Sequence, residues 1–233
     1  MPGRLQDKRI IVTGASRGLG RAIAEAYATE GAQLVLTATR DEHLRSALAS
    51  CRDRGATAVG VELGLGDAEG ARSAAAVAVA ELGRVDVLVN NAGVLGTREE
   101  LSEYPLDLFR EVIEVGLTGA LAVIQSVVPA MSRGGAIINV SSGAAGRAGW
   151  GAYAVAKSAL ESVTSMLRAE LADREIRVVA VNPGAMRTTM RAAAYPHEDP
   201  STLPHPSARV EPFIAIAEGA DPGPWIDAAE WAP

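Results

Sequence analysis

The chain of 233 residues carries 22 Lys and Arg against 28 Asp and Glu, a formal charge of -6, and is 48% hydrophobic and 21% charged. That balance suits a soluble globule with a large core, expected as a single domain over residues 1–233, and excludes a nucleic-acid surface, which needs clustered Lys and Arg. Residues 1–8 lack the apolar centre of a signal peptide and no run approaches the roughly 18 unbroken apolar residues of a membrane span, so a cytoplasmic protein without a membrane partner is expected. Cys51 is the only cysteine, which excludes an internal disulfide and a Cys metal cluster.

In chain order, apolar β-rich runs fall at residues 9–14, 33–38, 56–63, 85–90, 135–141 and 176–182. The segments between them, rich in Ala, Leu and Glu, predict helices over 19–30, 42–54, 68–82, 106–131 and 152–174. Strands apolar on both faces are those of a parallel sheet covered by helices on each side, and right-handed crossovers then give a doubly wound α/β fold. Residues 192–212 hold Pro196, Pro200, Pro204, Pro206 and Pro212 and so cannot form one continuous helix. This stretch is read as a substrate-side loop over the carboxyl ends of the strands, followed by a short helix at 212–218 and a last strand at 224–227.

The run TGASRGLG, residues 13–20, follows the first strand directly. A strand that breaks into a glycine-rich turn and then a helix is built to hold a phosphate. Gly14 allows the turn, Gly18 lets backbone approach a pyrophosphate, and Gly20 lets the helix lie close on the sheet. The helix start offers free N–H groups and the positive end of its dipole.

Tyr153 and Lys157 stand four apart at the start of a helical segment and share one face. The pair suits proton transfer, because the cation favours the phenolate and predicts a Tyr153 pKa moved from about 10 toward neutrality. Tyr153 can then give a proton to a carbonyl oxygen or accept one from an alcohol. The fifth strand run ends in Ser141 and Ser142, where a hydroxyl can hold a substrate carbonyl and stabilise its developing charge. Alternation puts the two serines on opposite faces, so at most one points into the site.

Taken with NNAG at 90–93 and PG-x-x-x-T at 183–188, these motifs stand in an order that resembles the short-chain dehydrogenase/reductase family over residues 8–190, and within it NADPH-dependent ketoreductases such as 3-oxoacyl-acyl-carrier-protein reductase. The resemblance implies a three-layer, doubly wound Rossmann-type fold with about seven parallel strands and a nicotinamide cofactor. It implies hydride transfer between that cofactor and a small-molecule carbonyl or secondary alcohol. Ser142 would hold the carbonyl, Tyr153 would act as acid and base, and Lys157 would tune Tyr153 and bind the ribose. Around the cofactor it implies Gly14, Ser16, Arg17, Gly18, Leu19 and Gly20, then Asn91 and Gly93, then Pro183, Gly184 and Thr188, the last near the carboxamide or the pyrophosphate. Asn90 is expected to brace the central strands.

An acidic residue at the end of the second strand accepts hydrogen bonds from the ribose of NAD and repels a 2'-phosphate. Here Ala38 and Thr39 stand in that place, followed by Arg40, and Arg17 is expected to point into the same pocket. Two guanidinium groups and a hydroxyl suit a phosphate, which predicts NADP(H) over NAD(H).

Gly116, in VIEVGLTG, departs from the family, which carries an Asn there to complete a proton relay to Lys157. An impaired relay is expected, with a helix loosened by about 1 kcal/mol relative to Ala. Gly64 replaces the residue that contacts adenine, the interval from Ser142 to Tyr153 is short, and the brief tail beyond Thr188 predicts an open substrate pocket. These departures motivate a second reading, a nucleotide-binding sensor or scaffold with little catalysis, which the presence of both Tyr153 and Lys157 disfavours. His197 and His205 are expected to be solvated loop residues, and the pairs Glu99 with Glu100 and Glu198 with Asp199 to face water, leaving no metal site. The helices at 106–131 and 152–174, apolar around much of their circumference, predict a homodimer or homotetramer.

Overall fold

Ile10 and Val12 of the first strand pack on one side of the sheet and Ile11 on the other, the period-two alternation of a strand covered on both faces. In the computed structural model, described for residues 3–231, the strands are β1 (Arg9–Val12), β2 (Gln33–Ala38), β3 (Ala58–Glu62), β4 (Val85–Asn90), β5 (Met131–Val140), β6 (Arg177–Asn182) and β7 (Trp225–Asp227). All pair in parallel, in the order β3-β2-β1-β4-β5-β6-β7. The helices are α1 (Gly18–Thr29), α2 (Arg45–Asp53), α3 (Ala68–Leu82), α4 (Leu106–Ile113), α5 (Gly119–Val127), α6 (Gly151–Glu170), α7 (Thr189–Ala194) and α8 (Glu211–Glu218).

Ile23 and Tyr27 of α1, Cys51 of α2 and Phe213 of α8 fill the core on one face, and Ala71 and Ala75 of α3 with Val123 and Ile124 of α5 fill it on the other. Burial pushes the Cys51 thiol up to about 11, so this cysteine packs as a small apolar group. The winding reverses between β1 and β4, the switch point at whose carboxyl ends sheets of this topology bind ligands.

Residues 106–130 form the helical stretch expected, though not as one regular α-helix. A π-turn at Glu114–Thr118 separates α4 from α5, a 3-10 turn at Val128–Ala130 follows, and β5 begins at Met131, ahead of residue 135. Two glycines explain where the helix widens. A Cβ on Gly119 would run into the carbonyl of Leu65, and one on Gly116 would lie 3.1 Å from the Cβ of Ala156. Gly116 therefore permits close packing on α6 at the point where the helix widens. The stretch 106–130 is long and apolar enough to cross a membrane by length and composition, with a mean hydropathy of 1.7 over an 18-residue window, yet Val112, Val123, Ile124 and Val127 lie buried within the fold.

Other boundaries shift for local reasons. A 3-10 turn at Asp41–Leu44 precedes α2, and α6 stops at Glu170 before another turn at Ala172–Arg174. Within 192–212, α7 reaches Ala194, and 3-10 turns at Pro200–Thr202 and Pro206–Arg209 each begin at a proline, whose missing N–H is no loss in a first turn. Leu106 on α4 and Met166 on α6 are exposed.

Candidate active site

The cofactor-side cradle is built from backbone. Gly14 turns at φ +64°, and a Cβ there would lie 2.8 Å from Ala92 Cα. A Cβ on Gly20 would run into the Gly14 carbonyl and the Asn91 amide, so only glycine lets α1 start this close to the loop. At Gly18, φ +57°, a Cβ would find only Thr188, 3.5 Å away, leaving the space above the helix start open. Arg17 makes no side-chain cap and no acid occupies the first turn of α1, so among the described residues the leading N–H groups of this helix meet no side-chain acceptor. Free donors beneath open space fit a pyrophosphate. Ser16 is half-buried in this loop and Leu19 is buried beneath it.

Asn91 closes the cradle onto β4. Its N–H donates to Thr13 Oγ1 at 3.0 Å, and its Nδ2 donates to the Thr13 and Gly14 carbonyls at 2.9 and 3.1 Å. The side chain is engaged with the loop, where the family resemblance had it lying along the cofactor. Thr13, which sequence reasoning passed over, also accepts from Ala92 N–H and donates to the Val89 carbonyl. Asn90 Nδ2 donates to Asn139 Oδ1 at 3.0 Å, and Asn139 Nδ2 to Thr164 Oγ1 at 2.9 Å, a buried chain that joins β4, β5 and α6.

Thr39 and Arg40 stand exposed just beyond β2, with Arg40 Nη1 only loosely paired to Glu42 at 3.6 Å. Arg17 Nη1 donates to Thr189 Oγ1 at 2.9 Å, so this guanidinium reaches across to α7. Thr188 caps that helix, its Oγ1 accepting from Arg191 N–H at 3.1 Å. Gly184, after Pro183, turns at φ +70° and donates its N–H to Asn182 Oδ1. Gly64 offers no side chain, and a Cβ there would meet nothing within 4 Å.

At the carboxyl end of β5 the structure brings Ser142, Tyr153 and Lys157 together. The Ser142 hydroxyl lies near enough to the Tyr153 phenol to favour its ionised form and accepts from Ala144 N–H at 3.1 Å, whereas Ser141 donates to Glu161. Lys157 Nζ donates to the Val140 carbonyl at 2.6 Å and lies 5.7 Å from the Tyr153 ring centre, beside Gly93. Burial holds the phenol above its ordinary value, opposed only by the Ser142 hydroxyl. This corrects the expected fall toward neutrality: the sequence shows the neighbouring ammonium but not the desolvation, and the ammonium is turned to a carbonyl. Burial pushes Lys157 itself down to about 8, with the Glu161 charge acting the other way.

The substrate-side cap escaped sequence reasoning. Arg98, in the loop after β4, lies 4.6 Å over the rings of both Trp150 and Tyr195, and its Nη1 donates to the Ala194 carbonyl at 2.9 Å. Arg191 covers Tyr195 at 3.8 Å and pairs with Glu198 at 2.6 Å. The stack joins three segments beside a cavity of about 530 Å³ lined by Thr97, Arg98, Glu99, Gly149 and Ala194, so the open pocket expected from the short tail is bridged on this side. Trp150 also packs on Tyr153, ring centres 6.2 Å apart. His205 caps a 3-10 turn by accepting from Ser207 N–H, and His197 is exposed. Among the described residues no three of His, Cys, Asp and Glu gather as metal ligands would.

A glycine cradle and a phenol–amine pair at the switch point of a parallel sheet define a dinucleotide-binding oxidoreductase of the doubly wound class. The chain belongs to the short chain dehydrogenase family, whose sequence model matches residues 8–199. It is 35% identical over 224 residues to the uncharacterized oxidoreductase YciK of Escherichia coli (strain K12), covering 93% of this chain and 88% of that protein. It is 37% identical over 194 residues to the 3-oxoacyl-(acyl-carrier-protein) reductase FabG of Aquifex aeolicus (strain VF5), covering 81% and 78%. Among solved structures, a short chain dehydrogenase from Salmonella enterica serovar Typhi superposes with a TM-score of 0.90 at 33% identity, covering 98% of both chains. One from Escherichia coli CFT073, complexed with NADPH, superposes with a TM-score of 0.90 at 32% identity, covering 98% and 99%. Membership makes this chain an oxidoreductase that works with a nicotinamide cofactor.

Proposed function

We propose that the protein is an NADPH-dependent carbonyl reductase, reversible as an alcohol dehydrogenase. The observation that carries the reading is the gathering of Ser142, Tyr153 and Lys157 at one edge of the sheet, beside the glycine cradle. The nicotinamide, when bound, supplies or accepts the hydride. The first N–H groups of α1 hold the pyrophosphate, and the Ser142 hydroxyl orients the carbonyl oxygen. Tyr153 Oη gives that oxygen its proton. Burial keeps the proton on Oη at neutral pH, the form a reduction uses, and the Lys157 ammonium stabilises the phenolate left behind.

The choice of NADPH is supported by the absence of an acid at the end of β2, by the exposed Arg40, and by a relative crystallised with NADPH. Exposed Leu106 and Met166 on α4 and α6 support a homodimer or homotetramer, which light scattering of the full chain tests. Tyr153→Phe is expected to lower kcat on aldehydes and ketones by about 10²–10⁴-fold while NADPH affinity holds. Near-normal turnover in that variant removes Tyr153 from the mechanism, and tighter binding of NADH than of NADPH removes the cofactor assignment.

A further inference from the structure

We propose that Glu161 is a positioning residue for the reaction: its carboxylate holds the end of β5 through Ser141, and its charge steadies the Lys157 ammonium. The proposal rests on the reading of Ser142, Tyr153 and Lys157 as the reacting groups.

Tyr153, Lys157 and Glu161 follow one another at four-residue steps along one face of α6. They engage three consecutive residues at the end of β5. Lys157 Nζ donates to the Val140 carbonyl, Ser141 Oγ donates to Glu161 Oε1, and Ser142 lies beside the Tyr153 phenol. The Ser141–Glu161 bond thus anchors to α6 the residue that directly precedes Ser142. Glu161 Oε1 accepts a second hydrogen bond from Trp225 Nε1 at 2.9 Å. An indole N–H only donates, so this oxygen is an acceptor in the pair, and it ties α6, β5 and β7 at one atom.

The charge of Glu161 has a separate effect. Around Lys157, β5 presents the Val140 carbonyl, the loop after β4 presents Gly93, and α6 presents the Tyr153 ring. Gly116, in the π-turn packed on α6, has no side chain to offer. Among these described groups Glu161 alone carries a charge, and it favours the ammonium against its burial. Glu161 also lines a surface cavity of about 420 Å³ with Ser158, Ser165 and Trp225, which leaves its carboxylate in touch with solvent.

Lys8 and Lys157 are the only lysines in the chain, so a ¹³C-lysine-labelled sample gives two side-chain signals, assigned with Lys8→Arg. Glu161→Gln keeps an acceptor oxygen for Ser141 and Trp225 and removes the charge. The Lys157 titration midpoint is expected to move to lower pH, and the alkaline limb of kcat for NADPH-driven reduction to move with it. Below that limb kcat stays within about twofold of wild type, because the geometry is kept. Glu161→Ala loses the bonds as well, and kcat falls about tenfold at unchanged NADPH affinity. An unchanged Lys157 midpoint in Glu161→Gln overturns the proposal, and so does wild-type kcat in a folded Glu161→Ala. If Glu161→Ala fails to fold, Glu161→Gln still decides. If the wild-type protein reduces no carbonyl, the reading of the reaction fails, while the titration still reports on Glu161.

Discussion

The cofactor-side cradle is backbone packed so closely that only glycine fits, whereas the substrate-side cap is a stack of side chains drawn from three distant segments. In the cradle, Gly14, Gly20 and Asn91 meet through main-chain carbonyls, and a single added methyl has nowhere to go. In the cap, Arg98, Trp150, Tyr195 and Arg191 touch through rings and guanidinium groups that can slide or separate. In the function proposed above, the first arrangement holds a group common to every turnover, the pyrophosphate. In the same proposal the second faces the substrate, and its side chains can adapt at modest energetic cost.

The comparison is broken most severely at Gly20. In Gly20→Ala the methyl must displace the Gly14 carbonyl or the Asn91 amide, and overpacking of this kind costs about 1–3 kcal/mol. A melting temperature lower by about 2–10 °C is expected, together with loss of NADPH affinity of at least about tenfold. Thermal melts with and without NADPH measure both. Wild-type melting and binding in this variant would mean that the cradle yields as readily as the cap.

The cradle and the strands were legible in the sequence because both depend on the backbone. Alternation along Ile10, Ile11 and Val12 and the spacing of Gly14, Gly18 and Gly20 are local, and the seven parallel strands follow with most boundaries within a few residues. Tyr153 and Lys157 were legible for the same reason, as a helical pair. What the sequence withheld depends on partners far along the chain. Arg98 is an ordinary loop arginine until Trp150 and Tyr195 come beneath it. The direction of the Tyr153 shift depends on how much of the chain buries the ring. Glu161 reads as a polar residue on a helix until the end of β5 and Trp225 supply its donors.

A change at Arg98 sharpens the contrast with a smaller effect. Arg98→Ala removes two cation–ring contacts and the bond to the Ala194 carbonyl, so α7 loses its tie to the loop after β4. At about 0.5–2 kcal/mol for such contacts, KM for a carbonyl substrate is expected to rise roughly tenfold. NADPH affinity and melting temperature should change little, since the cradle has no part in the stack. A steady-state comparison at saturating NADPH reads this directly. An unchanged KM would assign the stack to structure alone.

The smallest expected effect lies at Gly116, where the two kinds of construction meet. Gly116→Asn offers Lys157 an amide, but its Cβ starts 3.1 Å from Ala156 Cβ, and both atoms sit on helices that must part by a few tenths of an ångström to admit it. The about 1 kcal/mol that a non-glycine residue gains in a regular helix is reduced in a π-turn and opposed by this contact, so stability should change by less than about 1 kcal/mol in either direction. Turnover of the single variant therefore mixes a restored relay with a displaced α6, the helix that carries Tyr153. Adding Ala156→Gly removes the contact and separates the two. If an amide at position 116 aids proton transfer, the double variant exceeds the kcat of Ala156→Gly alone by about threefold, and Gly116→Asn by itself does not exceed wild type. Equal rates in the double variant and Ala156→Gly would mean that proton exit does not limit turnover, and that Gly116 is present for the close approach of the two helices.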